Sequence, residues 1–194
     1  MQALKSWGYT SITATLLVKA ITKGAKLPIR PIVISFDDGS ASVYSQAFPI
    51  MQEFGFTGVN YIIANYVGTV GYMNVEQLQE LAAAGWETGS HSMTHADLTK
   101  SIRAEWEMEN SRIVLEKMLG VPIETFAYPF GKANSDLYDL LVNNYIAGMG
   151  LGVSVNQRRS DLYYLWRRPV ELGASLETFG SYLPWNTPMI PPTQ

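Results

Sequence analysis

The stretch Arg30–Gly39, RPIVISFDDG, decides how the chain is read. Ile32, Val33, Ile34 and Phe36 form an apolar, largely β-branched run that Pro31 opens and Asp37-Asp38-Gly39 closes. That is the pattern of a buried strand running into a polar turn. Two adjacent carboxylates at a strand end repel each other and cost desolvation, so folding alone gives little reason for them. Neighbouring side chains on a strand point to opposite faces. The pair therefore splits its roles, one carboxylate reaching inward and the other turned by the loop. A plain solvated turn competes with this reading, because Asp-Gly is a common turn dipeptide.

Outward from this stretch, short apolar runs alternate with helical ones, which predicts an α/β fold with parallel strands. Ser42–Phe54 reads as a helix closed by Gly55, with Pro49 placed to kink it. Thr57–Ile63 is a second strand. Asn74 caps a helix through Gly85, with Gln77 three residues on and Val75, Leu78, Leu81 and Ala82 as its stripe. Trp86–Ser90 is a third strand. Lys100–Leu119 is a long helix with Ile102, Trp106 and Ile113 on one face and Met108, Leu115 and Leu119 beside them, stopped by Gly120 and Pro122. Ile123–Tyr128 reads as a fourth strand, Asp136–Val142 as a short helix, Tyr145–Gly148 as a fifth strand, Tyr163–Glu171 as a sixth and Leu176–Leu183 as a last helix. Residues 184–194 read as an extended Pro-rich tail. The 194 residues fit a single domain over 1–194.

Composition narrows the class. Hydrophobic residues make up 47% and charged residues 16%, which is globular. A net charge of −3 makes a poor phosphate-backbone binder, so nucleic acid is not an expected partner. With no cysteine, disulfides, thiolate metal sites and cysteine nucleophiles are excluded. No run of 18 apolar residues suggests a membrane span, and residues 1–24 lack the apolar core of a signal peptide; a leader or anchor removed beforehand stays compatible with the sequence.

The chain holds two histidines, His91 and His95, in His91-Ser92-Met93-Thr94-His95 just past a predicted strand. At that spacing two imidazoles can face one point, and neutral imidazole is the commonest nitrogen ligand of zinc-like cations. One Asp and two His make an N,N,O set with open positions for a water and a carbonyl oxygen, and a second carboxylate nearby can take the water's proton. That equipment suits hydrolysis of an amide or ester. Every polar cluster of this kind follows a strand, the edge on which parallel α/β folds build their sites.

Ser35-Phe36-Asp37-Asp38-Gly39 resembles the first motif of the polysaccharide deacetylase family, carbohydrate esterase family four, usually Thr-Phe-Asp-Asp-Gly. His91-Ser92-Met93-Thr94-His95 resembles its second motif, and Phe126-Ala127-Tyr128-Pro129-Phe130-Gly131 its third without the usual arginine. The resemblance runs from about Gly8 to Leu183. It implies a distorted (β/α) barrel with fewer than eight repeats. It further implies Asp37 as catalytic base, Asp38, His91 and His95 as metal ligands, and the backbone N–H of Phe130 as an oxyanion donor. The implied cofactor is a divalent metal, zinc first, with cobalt, nickel or manganese as alternatives. The implied substrate is an acetylated polysaccharide or oligosaccharide, and the implied location is extracytoplasmic or the cell envelope.

Two departures matter. Ala127 stands where many members carry an arginine that orients the base. The Phe-Ala-Tyr-Pro-Phe-Gly form is similar to the subgroup that deacetylates biofilm poly-N-acetylglucosamine, in which a later Leu-x-Arg-x-Pro-Val segment supplies an arginine. Leu165-Trp166-Arg167-Arg168-Pro169-Val170 matches it, which nominates Arg167, with Arg168 second. The general-acid histidine of the family's last motif has no counterpart here, leaving Asp161, Tyr128 or solvent to protonate the leaving group. The expected function is removal of N-acetyl groups from an N-acetylglucosamine polymer, with an O-acetyl esterase on xylan or another acetylated glycan, or a low-activity carbohydrate-binding pseudoenzyme, as alternatives. The late aromatic residues Tyr163, Tyr164, Trp166, Tyr182 and Trp185 are candidates for a sugar cleft, although packing accounts for most of them.

Overall fold

The computed structural model describes residues 1–188. In chain order the elements are α1 (Gln2–Ser6), β1 (Thr10–Ser11), α2 (Ala14–Lys23), β2 (Pro31–Ile32), β3 (Ser35–Phe36), α3 (Phe48–Phe54), β4 (Val59–Ile62), α4 (Val75–Ala83), β5 (Glu87–Ser90), α5 (Ala104–Leu119), β6 (Thr125–Ala127), α6 (Ser135–Asn144), β7 (Ala147–Met149) and α7 (Leu176–Ser181). Strands β3 to β7 pair in sequence order and all in parallel, and β1 pairs with β2 in a small separate sheet. The fold is α/β with parallel strands, as the alternating pattern predicts, and its large sheet is a five-stranded half-barrel with helical crossovers, in line with the distorted barrel that the resemblance implies. Because each strand returns in the same direction, all C-terminal strand ends lie on one edge, which places Asp37, His91 and Tyr128 together.

The deciding stretch behaves differently from a single buried strand. Pro31–Ile32 joins the small sheet, Ser35–Phe36 joins the large one, and residues 31–36 are only partly buried. The reason is position: β3 is the edge of the five-stranded sheet, so one side of it has no neighbour. The predicted helix from Ser42 begins as a π-turn over Val43–Ala47, which leaves Pro49 in the first turn of α3, where its missing N–H costs nothing. Asn74 and Gln77 form the expected reciprocal capping box on α4.

Two apolar layers sandwich the sheet. On one face α2 packs Ala14 and Val18 against Val59, Tyr61, Ala127, Ala147 and Met149. On the other, Ile62 and Phe126 meet Leu78, Leu81, Met108, Leu115 and Leu141 from the crossover helices. The buried face of α5 is Glu107, Met108, Ser111, Leu115 and Leu119. The predicted face through Ile102 and Ile113 is wrong. Ile102 precedes the helix and is fully exposed, and Ile113 is exposed, because helix rotation is fixed by what the sheet offers and not by the helix alone.

No regular sixth strand forms over Tyr163–Glu171. A single parallel bridge joins Met149 to Leu165, and Gly150 N–H and Gly152 N–H donate to the carbonyls of Leu165 and Arg167. The rings of Tyr164 and Trp166 lie where a Cβ on Gly150 or Gly152 would stand, so glycine there lets this segment pack tightly beside β7. Pro169 cannot extend the ladder. Of the predicted tail, residues 184–188 return to the N-terminal region, with Trp185 N–H on Tyr9 Oη and Arg30 on the Thr187 carbonyl; residues 189–194 lie outside the described residues. Among the described residues no helix is long and apolar enough to cross a membrane.

Glu87, on the α2 side of β5, accepts hydrogen bonds from Thr15 N–H at 2.9 Å and Thr125 Oγ1 at 2.7 Å. Burial raises its carboxyl above the ordinary range despite those bonds. A carboxyl raised on folding contributes stability below its unfolded pKa and loses it as pH rises through the folded value. Glu87→Gln keeps an acceptor for Thr15 and cannot ionise. Its melting temperature should therefore gain on that of the wild type between pH 4 and pH 7, with each kcal/mol showing as about 2–4 °C at this chain length. A difference that stays constant with pH would contradict the raised carboxyl.

Candidate metal centre and active site

Asp37 follows β3, and Asp38 takes a left-handed conformation at φ 71°. Asp tolerates that region better than most residues. The turn undoes the strand alternation, so both carboxylates face the His91 ring: Asp37 Oδ2 lies 3.9 Å and Asp38 Oδ1 3.6 Å from His91 Nε2. Gly39, at φ 85°, continues the turn beneath Ile62.

His91 leaves the end of β5 and is 2% exposed. Its Nδ1 lies 2.7 Å from the Ala127 carbonyl on β6. A carbonyl oxygen only accepts, so Nδ1 carries the proton and Nε2 presents a lone pair to the site. Burial holds the imidazole pKa below its ordinary value, which keeps it neutral, and a neutral imidazole is a ligand and not half of an ion pair. His95 completes the group, with its Nε2 3.5 Å from Asp38 Oδ1 and its ring 4.5 Å from that of Phe130 between centroids.

Those separations test whether a cation fits. At 3.5 and 3.6 Å nitrogen and oxygen are too far apart for hydrogen bonds. They match the roughly 3.4 Å between ligand atoms placed tetrahedrally at about 2.1 Å from one ion. Donor atoms of Asp38, His91 and His95 all lie within 4.8 Å of one another. The triad is consistent with a divalent metal site.

Arg167 reaches the same place from the segment beside β7. Its guanidinium clamps Asp37 in a bidentate pair, Nη1 to Oδ1 at 2.6 Å and Nη2 to Oδ2 at 2.9 Å, and also donates to Ser35 Oγ at 3.2 Å. Burial opposes ionisation of Asp37, but Arg167 outweighs it and holds the carboxyl below the ordinary range. Arg168 turns away and stacks over Tyr182. Ala127, the position of the usual arginine, is fully buried against Val59 and Tyr61. Phe130 sits at φ 59° in the Pro129–Gly131 turn with its side chain half exposed at the rim.

The late aromatics mostly pack. Tyr164 stacks on Tyr128 and donates its hydroxyl to the Gly131 carbonyl, and Trp185 leans on Tyr9. Sequence reasoning missed Ser35 as a partner of Arg167, the Ala127 carbonyl as a partner of His91, and Glu107, which is buried behind the histidine loop. Backbone partners leave no mark in a sequence. Glu107 was detectable, because it shares a helical face with Ser111 and Leu115.

The sequence profile described as polysaccharide deacetylase matches residues 24–147, well over half of the chain. The chain belongs to the polysaccharide deacetylase family. YxkH of Bacillus subtilis, itself named for that activity, is 26% identical over 186 residues, covering 94% of this chain and 67% of that protein. The poly-beta-1,6-N-acetyl-D-glucosamine N-deacetylase of Staphylococcus aureus is 26% identical over 165 residues, covering 75% of this chain; the chain spans 56% of that enzyme's length. The Streptococcus pyogenes deacetylase PplD, solved in complex with acetate, superposes with a TM-score of 0.86 at 22% identity, covering 94% of this chain and 83% of that one. This last likeness establishes the shared distorted-barrel fold.

Proposed function

We propose that this polysaccharide deacetylase family member is a divalent-metal-dependent hydrolase, acting as one domain on an N-acetylglucosamine polymer of the cell envelope or its surroundings. The convergence of Asp38, His91 and His95 beside the Arg167-clamped Asp37 carries the reading. The similarity to the S. aureus enzyme supports the substrate class. Zinc is the first choice for an Asp-His-His set, with cobalt, nickel or manganese able to replace it.

Asp38, His91 and His95 would hold the cation, which when bound supplies Lewis acidity that polarises a carbonyl oxygen and lowers the pKa of water towards about 7. Asp37 accepts the proton of the water that attacks the acetyl carbon. Arg167 keeps that carboxylate ionised and aimed, since the guanidinium fork fixes both oxygens. The backbone N–H of Phe130 donates to the oxyanion as the carbonyl becomes tetrahedral. The C–N bond then breaks, acetate departs, and the amine takes up a proton.

That last proton has few sources. Both histidines belong to the triad. The Tyr128 hydroxyl donates to the Tyr163 carbonyl, and burial pushes its pKa up. Asp161 is spent on Arg158 N–H and Ser160 Oγ. The proton that Asp37 has accepted and solvent are left; passing that proton to the amine or to solvent restores the base, and solvent reaches the site past the half-exposed Asp38. An alkoxide leaves more easily than an amine, so the lack of a third imidazole favours O-deacetylation of an acetylated glycan such as xylan as a second reading.

The test is acetate release from β-1,6-linked N-acetylglucosamine oligomers and from acetyl-xylan, comparing metal-stripped chain with chain reloaded with zinc or cobalt. Metal-dependent release from the oligomers is expected, and a preference for acetyl-xylan selects the second reading. Glycan binding without release in the loaded chain refutes both. Asp38→Ala and His91→Ala should each abolish stoichiometric zinc uptake, read by equilibrium dialysis. Undiminished uptake by either variant would remove that residue from the ligand set.

A further inference from the structure

We propose that Glu107 is a positioning residue for the two histidines, acting through the loop that joins them; this rests on reading Asp38, His91 and His95 as metal ligands. Glu107 is 4% exposed on α5, and among the described residues no cationic side chain pairs with it. All of its side-chain hydrogen bonds go to the two residues preceding His95. Oε2 accepts from Met93 N–H at 3.0 Å and Thr94 N–H at 2.9 Å, and Oε1 accepts from Thr94 Oγ1 at 2.6 Å. A buried carboxylate is costly unless its oxygens are satisfied, and here one loop satisfies both.

The loop needs such a grip. Ser92 at φ 68° and His95 at φ 63° are both left-handed, a conformation that persists in non-glycine residues only where the surroundings over-determine it. Ser90 Oγ accepts from Ser92 N–H at 3.3 Å and Ser92 Oγ accepts from His95 N–H at 2.9 Å, neutral bonds within the loop itself. Glu107 is the charged acceptor, and it is mounted on a helix. One turn later on the same face, Ser111 accepts from Ser90 Oγ at 2.7 Å, directly before His91. A single rigid helix therefore fixes the chain ahead of each histidine, through Ser111 ahead of His91 and through Glu107 ahead of His95. The imidazoles then start from set points before any cation arrives.

Charge and positioning can be separated. In Glu107→Gln the amide oxygen can accept from both N–H groups while the amide nitrogen donates to Thr94 Oγ1, which turns from donor to acceptor. Glu107→Leu keeps the bulk and loses all three contacts. The measurements are zinc affinity of the full chain by chelator competition, amide hydrogen exchange at Met93 and Thr94 in metal-free protein, and thermal unfolding. Glu107→Leu should weaken zinc binding by about 10–100-fold, the range seen when groups supporting metal ligands are removed. It should also speed exchange at both amides, while Glu107→Gln recovers most of each loss. If Glu107→Leu fails to fold, Thr94→Val, at the exposed position of the loop, removes one contact and should give a smaller loss in the same direction. Equal losses in the Gln and Leu variants would make the effect one of charge and overturn the proposal. So would wild-type zinc affinity in Glu107→Leu, or in Thr94→Val where the former does not fold. A wild-type chain that takes up no zinc overturns the metal reading, and this inference with it.

Discussion

Asp37→Asn should release acetate about 10²–10⁴-fold more slowly than the wild type while binding zinc as tightly. The substituted amide would keep the volume and one oxygen for Arg167 but would have no carboxylate to accept a proton. Because the proposed donor atoms belong to Asp38, His91 and His95 and not to Asp37, the metal site should stay whole. The low pKa that Arg167 imposes makes Asp37 a weak base, so its contribution depends on constant ionisation and on aim, both of which the amide forfeits. The measurement is kcat together with zinc dissociation constants on one preparation. A slow variant that has also lost zinc would make Asp37 a ligand. A variant with wild-type kcat would show that another group takes the proton.

Arg167→Met should be the second large effect, in two separate readouts. Catalysis should fall about 10–100-fold, because Asp37, the proposed base, loses the group that orients it. Stability should fall by about 1.5–3 kcal/mol, the usual worth of hydrogen bonds to a charged group, and less than for a fully buried pair because the Asp37 side chain is one-third exposed. The sign of the pH effect follows from the depressed carboxyl. In the wild type Asp37 contributes stability above its unfolded pKa and loses it as pH falls through the lower folded value. Without the guanidinium, burial, the largest influence on this carboxyl, is opposed only by the weaker pull of His91 and His95, so a carbon-13 titration of Asp37 in metal-free Arg167→Met should move to higher pH. Arg167→Lys should recover the charge but not the two-pronged geometry, and thus only part of the rate. An unchanged Asp37 titration in Arg167→Met would mean that the bidentate contact does not govern the base.

Much of this was legible in the sequence, and the reasons are local. The capping box of α4 needs only Asn74 and Gln77 three residues apart. Helices α3 and α5 end at Gly55 and Gly120 in left-handed caps that glycine supplies most cheaply. The carboxylate pair stood out because it ends an apolar run, where a polar group needs a reason other than packing, and the histidines because the chain's two imidazoles stand four residues apart just past a strand. Alternation of such runs with helical stretches was enough for a parallel α/β sheet, since parallel neighbours require crossovers.

The sequence by itself determined the crossover helices and most strands of the large sheet, several of their stops, and which polar residues fall on the sheet's functional edge, but not α1, α2, the division of residues 30–36 between two sheets or the lack of a regular sixth strand. Tertiary structure decided which way those residues face. Asp37 and Asp38 point into one site because a left-handed turn cancels the alternation of the strand. The buried face of α5 carries Glu107 and leaves Ile113 in solvent because the sheet sets the helix rotation. Arg167 meets Asp37 across 130 residues because tight packing at Gly150 and Gly152 lays its segment along β7. Local propensity acts over a few residues, whereas register, helix rotation and long-range pairing are settled by burial and hydrogen bonding summed over the whole fold, where a one-residue slip sends a side chain to the opposite face.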